Sequence, residues 1–173
     1  MNTSSIEDVV RRFLDAYNKN DLDGAMACLA DDFVRMDESA TCVPMSKETY
    51  REMWARFAVA FPDFNWKTTC MVTSGDTVAI EVIETGTFTQ PWACQGKTLR
   101  PSGQGYRARI CVFFRVNEDG LIQASEEEGI SIASRALSCE QASDRRLFVG
   151  PGPVTKGRYA WERQLKSGHN RFF

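Results

Sequence analysis

Residues 50–85 read YREMWARFAVAFPDFNWKTTCMVTSGDTVAIEVIET, and the apolar period changes inside this stretch. Before Pro62, the residues Tyr50, Met53, Trp54, Phe57 and Phe61 recur at the spacing of one helix face. After it, Phe64 to Thr73 is rich in aromatic and β-favouring residues, Ser74-Gly75-Asp76 supplies a turn, and Thr77 to Thr89 continues at period two. A helix stopped by proline therefore runs into a β-hairpin.

Working outward, Ser46 is placed to cap that helix and Met45 to staple onto Tyr50. Upstream, Ile6, Val9, Val10, Phe13, Leu14 and Tyr17 predict a first helix opened by a Ser5-x-x-Asp8 capping box and ending near Asn20. Asp21 caps a short second helix carrying Leu22, Ala25, Met26 and Leu29, with Asp31-Asp32 as its polar end; Phe33 to Met36 reads as a strand. Downstream, Gln90 to Gly105 reads as a loop punctuated by proline and glycine, Tyr106 to Val116 as a long strand, Asn117 to Gly120 as a turn, and Leu121 to about Ile132 as the last strand. Helices first and strands after predict an α+β domain over residues 1–137, with helices covering one face of a curved sheet around a cone-shaped cavity.

With 173 residues, 43% of them hydrophobic and 25% charged, the chain is long enough to bury a core and a pocket. Its net charge of −2 argues against a nucleic-acid partner, because phosphate binding needs a basic face. No stretch approaches the roughly 20 apolar residues that cross a bilayer, and Met1 to Asp8 lacks the basic and apolar parts of a secretory leader, so a cytoplasmic protein with no membrane partner is expected. The six cysteines (Cys28, Cys42, Cys70, Cys94, Cys111, Cys139) form no Cys-x-x-Cys pair, which fits reduced thiols, mostly core residues, rather than a disulfide or zinc framework. The single histidine is His169. Acid–base chemistry in the main domain must therefore use carboxylates, Tyr, Lys, Cys or water.

The run Ser125-Glu126-Glu127-Glu128-Gly129 falls in the predicted last strand. Strand alternation points Glu127 opposite to Glu126 and Glu128, so at least one carboxylate faces inward, where desolvation raises its proton affinity. A solvated charge that blunts an edge strand is the other reading of Glu127. Glu84 shares a strand face with Val78, Ile80 and Val82, which makes it either a second interior carboxylate or the wet end of its strand. Asp37 sits at the cavity mouth or serves as a loop cap. Arg107 and Arg109 share a face, either to neutralise a substrate oxyanion or to pair with Glu81 on the outside. Tyr17, Trp54, Phe57, Trp66 and Phe113 offer an aromatic lining.

The order of elements, with Phe61-Pro62-Asp63-Phe64, Gly75-Asp76-Thr77-Val78-Ala79, Thr85-Gly86-Thr87, Pro101-Ser102-Gly103, Phe114-Arg115-Val116 and Asp119-Gly120-Leu121-Ile122, resembles the SnoaL-like polyketide cyclases of the NTF2-like superfamily over about residues 6–137. The resemblance implies a cone-shaped α+β barrel, a homodimer, no metal or organic cofactor, and ring closure or isomerisation of a hydrophobic polyketide-like substrate by acid–base chemistry. Counted from Asp119-Gly120, the family's acid position falls on Glu127, with Ser125 where a His is common and a place in the substrate-binding set with Arg109. A one-residue register slip would exchange Glu127 for Glu126. The histidines of the family pattern are missing here, which implies either a different reaction or a single carboxylate working with apolar shaping.

Two rival functions remain at this stage. An epoxide hydrolase on the same fold needs a carboxylate–arginine–carboxylate cluster, for which the sequence offers Asp37, Arg109 and Glu127; a non-catalytic binding or dimerisation module needs none. The tail, residues 138–173, has 7 basic and 3 acidic residues against 14 and 20 in the rest, and reads as a basic extension expected to act as a lid or dimer arm.

Overall fold

The structure is a computed structural model that describes residues 3–37, 43–94 and 97–129. The chain divides into two compact units, Met1–Glu140 and Gln141–Phe173. The second unit, and with it the tail and His169, lies outside the described residues.

In the first unit the elements run α1 (Thr3–Asn18), α2 (Leu22–Met26), β1 (Leu29–Asp37), β2 (Met45–Ser46), α3 (Lys47–Ala60), β3 (Asn65–Ser74), β4 (Thr77–Thr87), β5 (Trp92–Cys94), β6 (Lys97–Leu99), β7 (Gly105–Val116) and β8 (Ile122–Gly129). Helix α3 starts where its cap predicts, with Ser46 Oγ accepting from the Thr49 amide at 3.3 Å, and ends at Phe61 before Pro62. Asp21 caps α2 by accepting from the Gly24 amide at 2.9 Å. The Asp31-Asp32 pair, expected to close that helix, instead lies exposed within β1, which begins at Leu29. Two residues after α2 suffice because Ile122 N donates to Cys28 O at 2.9 Å and draws the chain into the sheet.

Among the described residues, six strands form one open sheet in the order β2-β1-β8-β7-β4-β3. All neighbours are antiparallel except β1 and β8, which run parallel. The sheet is therefore mixed, with β2 and β3 as its edges. The β3–β4 turn takes its left-handed residue from Gly75, at φ 62°, where a side chain would be strained. Within the predicted loop 90–105, β5 and β6 form a separate two-stranded ladder that the scattered Pro and Gly concealed.

The inner face follows the period-two pattern: Val78, Ile80, Val82 and Glu84 on β4, and Ala108, Ile110, Val112 and Phe114 on β7, are all buried. Over them lie α1, with Val9, Val10, Phe13 and Tyr17, and α3, with Tyr50, Trp54 and Phe57. Each such side chain removed from water stabilises the fold by about 1.5–3 kcal/mol. Asn18 ties the end of α1 to β3 at both polar ends, donating to Trp66 O at 2.9 Å and accepting from Trp66 N at 2.7 Å. Among the described cysteine side chains, Cys28 is buried, but Cys70 and Cys111 are exposed on β3 and β7, contrary to the expected core positions. No helix among the described residues is long and apolar enough to cross a membrane.

Candidate active site

Strand β1 alternates Phe33, Arg35 and Asp37 inward, with Val34 turned outward, and the parallel register sets Arg35 opposite Ser125 and Asp37 opposite Glu127 on β8. All four polar residues are buried. Arg35 Nη2 donates to Glu127 Oε2 in a close ion pair and lies 3.8 Å from Asp37 Oδ2. Its guanidinium also stacks over the Tyr50 ring at 4.9 Å. Burial works against the guanidinium's charge, but Glu127, Tyr50 and Asp37 outweigh it and raise its proton affinity, so Arg35 is a fixed cation. For Glu127, burial pushes the carboxyl up, and Arg35 offsets this only in part.

The second polar centre is Glu84, held from both neighbouring strands. Its partner across β3, Trp66, donates its indole N–H to Oε2, and Tyr106 from β7 donates its hydroxyl to Oε1 at 2.8 Å. Burial, with the Glu127 charge adding to it, pushes Glu84 up to about 7, while the two donors pull the other way. Tyr17 packs between these centres, its ring centroid 4.6 Å from those of both Trp54 and Trp66, and its hydroxyl is raised well above the ordinary value by burial and then by Glu84. Among the described residues, the buried polar atoms Arg35 Nε, Trp54 Nε1 and Ser125 Oγ have no hydrogen-bond partner. Each leaves about 1–3 kcal/mol of desolvation cost uncompensated, a deficit that an acceptor-bearing ligand could relieve.

The structure thus brings Glu127, Glu84, Asp37, Tyr17, Trp54, Trp66 and Ser125 to the interior, and Phe57 is buried beside them against Phe64 at 5.5 Å. Three expected site residues are elsewhere. Glu126 is exposed on the outer face of β8, because it alternates with the buried Glu127. Arg109 is also exposed and pairs with Glu81 Oε2 at 3.2 Å, the cross-strand alternative. Phe113 is 43% exposed, since it shares the outer face with Cys111 rather than the inner face with Val112 and Phe114.

The buried cation beside Glu127 is Arg35 on β1, whereas Arg109 on β7 is exposed. Arg35 was legible in the alternation Phe33-Val34-Arg35-Met36-Asp37, but apolar residues on both faces hid which face was inner. Tyr106 was signalled by its phase, in step with Ala108 and Ile110. Among the described residues, no group of three or more His, Cys, Asp or Glu side chains is arranged to hold a metal ion.

Chemically, this interior offers two carboxylates in different settings: one ion-paired to a permanent cation, the other held by neutral donors near its titration midpoint. Such a pair can divide base and acid roles.

A comparison with solved structures finds the same fold repeatedly. AclR from Streptomyces galilaeus, described as a candidate hydroxylase, superposes with a TM-score of 0.67 at 18% identity, covering 81% of this chain and 98% of its own. IdmH from Streptomyces antibioticus, described as a candidate polyketide cyclase, gives 0.62 at 20% identity, covering 77% and 98%. A ketosteroid isomerase-like protein from Catenulispora acidiphila, solved with trimethylamine, gives 0.59 at 16% identity, covering 73% and 87%. At these identities the likeness is one of fold. A search of curated proteins finds no match. The sequence profile of the SnoaL-like domain matches residues 10–125, a span that takes in α3, the β3–β4 hairpin, Glu84, Arg35 and Ser125. By that match and the shared fold, the chain belongs to the SnoaL-like domain family.

Proposed function

We propose that the protein is a cofactor-independent cyclase or isomerase acting on a hydrophobic, polyketide-like intermediate, with Glu127 as base and Glu84 as acid. The supporting observation is the unequal setting of these two buried carboxylates. Glu127 takes a proton from the carbon α to a carbonyl, breaking the C–H bond and leaving an enolate. The enolate carbon attacks an electrophilic carbonyl carbon, forming the C–C bond, and the released alkoxide takes the proton of Glu84. A proton passed back from Glu127 resets the pair. In an isomerisation the enolate is instead reprotonated at another carbon. Arg35 keeps the base oriented, and the aromatic side chains around Tyr17 shape the substrate so that the reacting carbons meet.

Glu127→Gln keeps the size and removes the base, so turnover of a cyclisable polyketide analogue is expected to fall about 10²–10⁴-fold, the range of a general base. Full activity in this variant would sink the assignment.

A second reading has its own observation, the buried sequence Asp37, Arg35, Glu127. It is the carboxylate–arginine–carboxylate arrangement required for epoxide opening, built on Arg35 rather than Arg109. There one carboxylate activates a water that attacks an epoxide carbon, the C–O bond breaks, and the other carboxyl protonates the oxygen. A diol product carrying one labelled solvent oxygen would favour it over cyclisation.

The reading includes a second copy of the chain. The outer sheet face carries exposed Phe113 and Val34 beside Glu126 and Arg115, an apolar patch with both charges at its edge. Phe113→Glu is expected to convert a dimer to a monomer in sedimentation, and a wild-type monomer would remove this part of the reading.

A further inference from the structure

Gly86 on β4 and Tyr106 on β7 are direct cross-strand partners. A Cβ built on Gly86 would lie 2.9 Å from Tyr106 Cε1 and 3.0 Å from its hydroxyl oxygen. The Cε1–hydroxyl side of the ring therefore lies over Gly86, in space that a side chain there would occupy. Lying so, its hydroxyl passes along the strand to Glu84 Oε1 at 2.8 Å, while Trp66 occupies Oε2 from the other side. Both donors are neutral. The Tyr106 hydroxyl keeps its proton because burial, with the Glu84 charge next, raises its affinity. Glu84 thus receives two hydrogen bonds from neutral donors in its charged form.

We propose that Tyr106, laid across Gly86, is the positioning residue that leaves Glu84 able both to give and to take a proton. This rests on the reading of Glu84 as the acid, and it adds two residues to that site. A donor to a carboxylate favours its ionised form. Burial favours the neutral form, as does the charge of Glu127 on β8. Arg35 on β1 acts against them from a distance. Among the described residues, Tyr17 on α1 and Tyr50 on α3 also sense Glu84, and their own hydroxyls are raised by burial. Asp63 raises Tyr106 further, and its own carboxylate is held low by the Thr87 hydroxyl and amide, each at 2.7 Å. With Tyr106 removed, burial and Glu127 prevail and Glu84 stays protonated at neutral pH. It then holds its proton more tightly and is the poorer donor to the forming alkoxide.

The test needs no substrate. In the full-length protein labelled with carboxyl-¹³C glutamate, the Glu84 resonance is identified by its loss in Glu84→Gln and followed against pH. The wild-type midpoint is expected near neutrality. Tyr106→Phe should move it up by about one to two pH units, the worth of one hydrogen bond to a charged group. Gly86→Ala, which keeps the hydroxyl but displaces the ring, should move it in the same direction, and the double variant no further than the larger single one. An unchanged midpoint in Tyr106→Phe, or a wild-type midpoint in the ordinary carboxylate range, overturns the proposal. Turnover retained by Glu84→Gln would remove the catalytic reading alone, because the titration would still report the clamp.

Discussion

Replacing Arg35 with Met is expected to destabilise the protein by about 3–5 kcal/mol, the cost of leaving a buried ion-pair partner uncompensated. The variant keeps much of the side chain's volume but strands the buried Glu127 without its cation. It also removes the group stacked on Tyr50. Adding Glu127→Gln to Arg35→Met should restore a large part of the loss, since the double variant no longer buries that charge, and the coupling between the two sites is what a double-mutant cycle in urea reads. A single-variant loss below about 1 kcal/mol, or strict additivity, would mean that the pair is more hydrated than its burial indicates.

Stability should also depend on pH through Glu84. Its carboxyl is raised from an ordinary 4.5 to about 7, chiefly by burial. Between these values the folded chain keeps a proton that the unfolded chain has released, so the unfolded state binds fewer protons and stability falls as pH rises. The loss begins near pH 4.5, is complete above about pH 7, and amounts to about 3 kcal/mol at 1.36 kcal/mol per pH unit. Glu127, raised in the same direction, adds to this slope. Glu84→Gln removes the Glu84 part, so the variant should gain on wild type as pH moves from 5 to 8. Urea midpoints at those two values measure it. A wild type equally stable relative to the variant at both would contradict the setting of Glu84 described above.

Much of this architecture was legible from local pattern. The change of period at Pro62 marks the end of α3 and the start of the hairpin because both elements bury one face, and burial writes its own repeat into the chain. The same repeat put Glu84 on the face of Val78, Ile80 and Val82. Alternation also separated Glu127 from Glu126, though only long-range packing decided which faced inward. What stayed hidden depended on strands distant in sequence. Nothing near Arg35 says that β1 will lie parallel to β8, and without that register Arg109 is the more visible cation because it has a neighbour on its own strand face. The β5–β6 ladder was missed for the opposite reason: three-residue strands are too short to show a period.

The ion pair at the site joins residues 92 positions apart, one on the first strand and one on the last. During synthesis, α1, β1, α3 and the β3–β4 hairpin all leave the ribosome before Glu127 exists. Until it arrives, Arg35 has no partner across the sheet, and the gap between β1 and β7 is open along two unpaired strand edges. Strand β8 therefore fills the gap between β1 and β7 and neutralises the buried cation in one event, so the ion pair reports that the sheet is complete across that gap. Variants that slow docking of β8 should show their effect first as nascent chains that aggregate through β1 or β7, before any defect appears in the protein that does mature.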